Sequence, residues 1–134
     1  MDEKIQNIDF VIQHWIESSE QNFYTMQKMY NSNEYSWALF MGHLMLEKLI
    51  KALYVKRLEK HPIFTHDLLR LLNKAQIDLP IEEFEEWFDQ ISTFNLNARY
   101  DDYKQSFYKS CSEDFTTYWI DKINILKQWL MTQF

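Results

Sequence analysis

Apolar residues recur from Ile5 to Tyr30 at steps of three and four: Ile5, Ile8, Ile12, Trp15, Phe23, Met26 and Tyr30, with Ser19 holding one place in the same stripe. That is the period of an α-helix, sustained for about seven turns. Asn31-Ser32-Asn33 breaks it. A second helical pattern begins near Glu34 and runs to about Lys60, with Tyr35, Ala38, Gly42, Met45, Leu49, Ala52 and Leu53 on one side. Trp37, Met41 and Leu44 make its first half apolar around much of the circumference. Such a helix is central to a bundle, or covered on its second side by another subunit. Gly42 costs about 1 kcal/mol relative to Ala in a helix interior, which argues that a neighbouring helix approaches closely there.

His61-Pro62-Ile63-Phe64 reads as a connector, and Thr65 as the N-cap of a short helix containing Leu68, Leu69, Leu71 and Leu72. Asp67 in its first turn suits the helix dipole. Asp78-Leu79-Pro80 makes the next break, and Pro80 stands at or just before a fourth helix with Ile81, Phe84, Trp87 or Phe88, and Ile91 inward. Ser112 or Ser110 caps a last helix whose stripe is Phe115, Trp119, Ile123, Leu126 and Leu130. The expected fold is all-α: an antiparallel up-and-down bundle of four to five helices, occupying residues 1–134 as one domain.

Composition supports that reading. A chain of 134 residues that is 46% hydrophobic and 17% aromatic has ample apolar surface for a packed interior. One Gly and two Pro leave too little turn punctuation for a many-stranded sheet, and exclude a Walker loop or a dinucleotide fingerprint. No Gly-x-Ser-x-Gly elbow is present. The longest uncharged window, Tyr35 to Leu46, is interrupted by His43 and falls short of the ~18–20 residues of a membrane span. Met1-Asp2-Glu3-Lys4 lacks the cationic and apolar regions of a signal peptide, so a soluble, cytoplasmic protein is expected. Cys111 is alone, which rules out an intrachain disulfide and a thiolate metal cage.

The net charge of −6 argues against a general polyanion-coating protein. The charge is unevenly spread, however. From His43 to Lys74 seven cations face three acids, a block of +4. Between Lys74 and Lys104 the balance reverses: eight acids surround one cation, Arg99. Most of those acids, Glu82, Glu83, Glu85 and Glu86, belong to the first turns of the fourth helix, where negative charge complements the helix dipole. Arg99 itself sits in Asn97-Ala98-Arg99-Tyr100-Asp101-Asp102-Tyr103, a stretch without apolar periodicity that reads as a loop. It is either neutralised by Asp101, Asp102 or the acidic helix, or held ready for an anion.

Other constellations are weaker. His43 and Glu47 lie one turn apart, a spacing that can present two metal ligands, but no third ligand is evident and a hydrogen-bonding histidine is the simpler reading. Adjacent acid pairs are read as solvated rather than as acid/base machinery. Lys48 and Lys51 can be presented together across one turn, with Glu47 paired to Lys51, and a solvated helix face is the plain alternative. His66, following Thr65, is placed to meet the end of another element. Nothing in the residues calls for a metal or a cofactor.

Taken in order, Tyr35-Ser36-Trp37-Ala38 leading to His43, Glu47-Lys48-Leu49-Ile50-Lys51-Ala52-Leu53, Thr65-His66-Asp67-Leu68 and Ala98-Arg99-Tyr100 resemble the HEPN domain, the helical family named for higher eukaryotes and prokaryotes nucleotide-binding. The resemblance covers nearly the whole chain. It implies a bundle that forms a homodimer, often beside a nucleotidyltransferase-type partner. Many members are ribonucleases, some of toxin–antitoxin type, whose sites combine an Arg and a His separated by four to six residues. The chemistry implied is metal-independent attack of an RNA 2′-hydroxyl on its own phosphate. Arginine suits such a site because its planar fork binds phosphate bidentately, and histidine because it exchanges a proton near neutral pH.

Here that motif is incomplete, since Lys104, Gln105 and Ser106 occupy the positions where the histidine would lie. The expected function is therefore binding of a nucleotide or RNA phosphate through Arg99, with Tyr100, Lys48 and Lys51 assisting. The alternatives are a diverged ribonuclease in which His43 or His66 transfers the proton, and a purely structural interaction module.

Overall fold

The computed structural model describes residues 5–134, and of Asp101 the backbone alone. Among the described residues there are six helices and no strand: α1 (Ile8–Asn31), α2 (Tyr35–Leu58), α3 (Leu68–Lys74), α4 (Glu82–Arg99), α5 (Asp101–Ser110) and α6 (Glu113–Met131). The residues on which a missing signal peptide was argued, 1–4, lie outside them. No described helix is long and apolar enough to cross a membrane.

The helix count exceeds the four to five expected because the stretch around Arg99 is helical. Arg99 is the last residue of α4, and after one extended residue, Tyr100 (ψ 131°), the chain re-enters a helix as α5. The periodicity is hidden because, of the described side chains of α5, only Phe107 is buried, so there is no stripe to read. Tyr100 also lacks a side-chain capping bond, which removes the usual start signal.

Local chemistry sets the other boundaries. Asn7 Oδ1 accepts from Phe10 N at 3.1 Å to start α1, and Ser112 Oγ accepts from Phe115 N at 3.1 Å to start α6. The N-cap of α3 is Asp67 rather than Thr65: Asp67 Oδ1 accepts from Arg70 N at 3.2 Å, while Thr65 Oγ1 accepts from Asp67 N at 3.2 Å. An aspartate carries both the capping oxygen and the charge that the helix end favours, so the start moves two residues on.

α2 is the central helix. It packs against α1, α3, α4, α5 and α6, and Ala38, Leu39, Met45, Leu46, Ile50 and Leu53 are fully enclosed. Trp37, Met41 and Leu44, which complete the apolar circumference of its first half, are only partly buried. Gly42 lies where α1 and α6 close on α2: a Cβ there would stand 2.7 Å from Ile123 Cδ1 and 3.1 Å from Met26 Sδ. On α4 the inward aromatic is Phe88, buried completely, with Trp87 at the edge against Phe84. Phe94 continues the stripe and packs its ring on Phe107, Phe115 and Trp119, joining α4 to α5 and α6. This clamp holds the C-terminal end of α4, and with it Arg99.

Candidate functional site

A groove of about 650 Å³ opens between the segment that enters α3 and the last three turns of α4. His66 and Asp67 form one wall; Asp89, Ser92, Thr93, Leu96 and Arg99 from α4, with Tyr100 at its end, form the other. Its size falls in the range of pockets that take small ligands.

The position of α4 against the α3 entry follows from one hydroxyl. Ser92 Oγ donates to Phe88 O at 2.8 Å and accepts from Leu68 N at 3.0 Å. Leu68 is the first residue of α3, so its N–H has no partner within the helix and takes one from α4. His66, two residues earlier, is then held from two further sides. Its carbonyl accepts from His43 Nε2 at 2.8 Å, and its ring Nδ1 meets Glu47 Oε1 at 2.8 Å.

Behind this wall the polar groups form a chain. Glu47, almost fully buried, divides its carboxylate between His66 and Lys51, whose Nζ stands 3.0 Å from Oε2. Lys51 is itself only 12% exposed and lies 5.0 Å from the centre of the Trp15 ring. His43 is fully enclosed, and burial holds its imidazole below the ordinary value, so it is neutral at physiological pH. With Nε2–H donated to the His66 carbonyl, its Nδ1 is an acceptor and faces Asn95 Nδ2 at 3.5 Å, the loosest link in the chain. The carbonyl of Asn95 accepts from Arg99 Nε at 3.2 Å. The polar chain Lys51, Glu47, His66, His43, Asn95, Arg99 thus runs from α2 across the α3 entry to the end of α4.

Arg99 is exposed, and among the described residues it meets no carboxylate. Its guanidinium carbon lies 5.3 Å from the centre of the Tyr100 ring, itself about half exposed. Asp102, expected as a neutralising neighbour, makes no ion pair with it, and the side chain of Asp101 lies outside the described residues. The acidic first turns of α4 are at the far end of the same helix.

The structure therefore brings Arg99, Tyr100 and His66 to one groove and sets His43 directly behind it. Lys48 and Lys51 do not line it. Lys51 is tied to Glu47, and Lys48 is partly buried, which lowers its affinity for a proton. The Glu47–Lys51 pair forms as its spacing predicts, but in the interior rather than on a solvated face. Among the described residues no group of His, Cys, Asp or Glu is arranged to hold a metal. Cys111 is buried and its thiol is pushed up to about 11, which makes it a poor nucleophile.

Three contributors escaped the sequence reading: Ser92, Asn95 and the carboxylate of Asp89. Asn95 left a trace, since it follows Phe94 on the apolar side of α4 and precedes Arg99 by one turn. A buried polar residue at a core position signals a partner on a facing helix. Ser92 and Asp89 left none, because both residue types are common on exposed faces.

The described geometry can be set beside known proteins. The HEPN domain family model matches residues 12–132. The crystal structure of TT1696 from Thermus thermophilus resembles this fold with a TM-score of 0.78 over 92% of this chain and 98% of that one, at 18% sequence identity. At that identity the likeness concerns the fold alone. No curated protein matches the chain significantly.

Proposed function

The chain belongs to the HEPN domain family, and from that premise we propose that it is a nucleotide- or RNA-phosphate-binding module whose phosphate site is Arg99. The observation that carries this is the state of that side chain. Its Nε is anchored to the carbonyl of Asn95, and its terminal nitrogens meet no acceptor among the described residues, on a side chain that lines an open groove. A guanidinium so oriented offers its fork to a phosphate with little further loss of freedom. Tyr100 supplies an exposed aromatic face beside it for a base. In this reading the protein works in the cytoplasm as a homodimer, beside a nucleotidyltransferase-type partner. Lys48 and Lys51 act from behind the wall, Lys51 by balancing the charge of Glu47.

A second reading is favoured by one specific feature, the presence of His66 in the groove with Arg99. Its Nδ1 is engaged by Glu47, so the neutral ring carries its proton there and turns Nε2 into a base. In a metal-independent ribonuclease of toxin–antitoxin type, Nε2 takes the proton of an RNA 2′-hydroxyl. That oxygen attacks the adjacent phosphorus, and the bond to the 5′-oxygen breaks. The leaving oxygen takes that proton back from the His66 imidazolium, giving a 2′,3′-cyclic phosphate and a 5′-hydroxyl and restoring the base. Arg99 stabilises the phosphorane charge. His43, enclosed and donating to a carbonyl, orients His66 rather than reaching substrate.

The test is binding and cleavage measured on the same preparation. In the first reading a nucleoside monophosphate raises the melting temperature, Arg99→Ala removes the rise, and RNA in chelator stays intact; a ligand at a hundredfold excess over its Kd adds about 2.7 kcal/mol of stability. Cleavage in chelator that is lost in both Arg99→Ala and His66→Ala selects the second. If no nucleotide shifts the melting point and Arg99→Ala lowers it by several degrees, Arg99 is structural and both readings fail.

A further inference from the structure

The groove is poor in positive charge for a nucleic-acid site. Along α4, Asp89, Ser92, Leu96 and Arg99 recur at three- and four-residue steps and so share one face. Asp89 and Arg99 are ten residues apart, about 15 Å along the helix axis. On the opposite wall Asp67 follows His66. Among the described lining residues Arg99 is the one side chain of fixed positive charge, set against the carboxylates of Asp67 and Asp89. The anionic end is also the end away from Arg99. A second phosphate extending along the groove therefore travels toward Asp89, not toward another cation.

Resting on the reading that Arg99 holds a phosphate, we propose that the groove takes a single-phosphate ligand, a nucleoside monophosphate or one nucleotide unit, and excludes polyphosphates and extended strands. The phosphate sits at Arg99. The sugar and base lie over Leu96 toward Asp89, whose carboxylate accepts hydrogen bonds from neutral donors such as a ribose hydroxyl or an amino group on a base and repels any further phosphate. Multi-phosphate binding needs a track of cations, each neutralising a phosphate, and the lining residues do not supply one. Like charges brought together at a recognition site also act as a selectivity device, by penalising the wrong ligand more than they help the right one.

The experiment titrates the full chain with adenosine monophosphate, adenosine triphosphate and a short adenine oligoribonucleotide over a range of salt. The expected result is that the triphosphate binds more weakly than the monophosphate, and that any oligonucleotide binding has a log–log salt slope of about −0.7, the value for one phosphate contact in a single strand. Asp89→Lys then favours the triphosphate over the monophosphate by about tenfold or more. A triphosphate that binds the unaltered protein as tightly as the monophosphate or more tightly, a slope that steepens with oligonucleotide length, or an Asp89→Lys protein with unchanged preference overturns the single-phosphate proposal while leaving the phosphate site standing. Monophosphate binding that is absent, or indifferent to Arg99→Ala, overturns both.

Discussion

Replacing Glu47 by Gln tests the polar chain behind the groove, because the substitution keeps the shape and removes the charge. Lys51 Nζ lies 3.0 Å from one carboxylate oxygen and His66 Nδ1 2.8 Å from the other, with Glu47 only 4% exposed. At 3.0 Å the Coulomb attraction to Lys51 is about 5–6 kcal/mol at an effective dielectric of ~20. Desolvation of the two ions offsets much of it, so the pair as a whole contributes little over an uncharged replacement. Breaking it from one side is different, since Lys51, 12% exposed, is left enclosed without a counterion. The expected cost of Glu47→Gln is about 3 kcal/mol, which for a domain of this size lowers the melting temperature by roughly 10 °C. Lys51→Met should cost about 2 kcal/mol, and the double variant also about 2 kcal/mol, with a coupling energy of about 3 kcal/mol. Equilibrium urea unfolding of the four proteins measures this cycle. Single-variant costs below about 1 kcal/mol with additivity within ~0.5 kcal/mol would return the pair to the surface class and refute the buried-network argument.

The remaining predictions concern separate elements. His43 has its pKa lowered by burial from 6.5, so the unfolded chain binds the extra proton; stability is greatest above that value and falls by up to about 1.4 kcal/mol per pH unit as pH drops below it, a slope that His43→Gln should flatten in urea unfolding at pH 5 to 7. Gly42→Ala drives a methyl to 2.7 Å from Ile123 Cδ1; an overpacking cost of about 1–3 kcal/mol against a helix-propensity gain of about 1 kcal/mol gives net destabilisation of about 0–2 kcal/mol by thermal unfolding. Cys111, with its thiol at about 11, should react with a disulfide reagent at neutral pH many times more slowly in the native protein than in denaturant, and a fast native reaction would contradict its burial.

Family membership and the all-helical class were legible before any coordinates because both rest on local or ordered signals. The stripes of the long helices appear at fixed spacing, and Ile123, Leu126 and Leu130 are completely buried as that spacing requires. Gly42 was singled out as a contact point by its cost alone, and it lies under Ile123 and Met26. α5 was not legible, because a short helix with one buried residue, Phe107, has no periodicity to detect. The same gap made Arg99 look like a loop residue when it is the end of α4.

The candidate site divides along the same line. Sequence alone determined which side chain is the lone cation of an acidic region and that no histidine follows it at the family's spacing, since both are statements about order along the chain. Only the tertiary structure decided that His66, thirty-three positions earlier, shares a groove with Arg99, and that Glu47 serves His66 from the interior instead of decorating a solvated face. The reason is physical. Those meetings depend on how α2, the α3 entry and α4 pack, through Ser92 on Leu68 and His43 on the His66 carbonyl, and no spacing within a single helix encodes a hydrogen bond between elements.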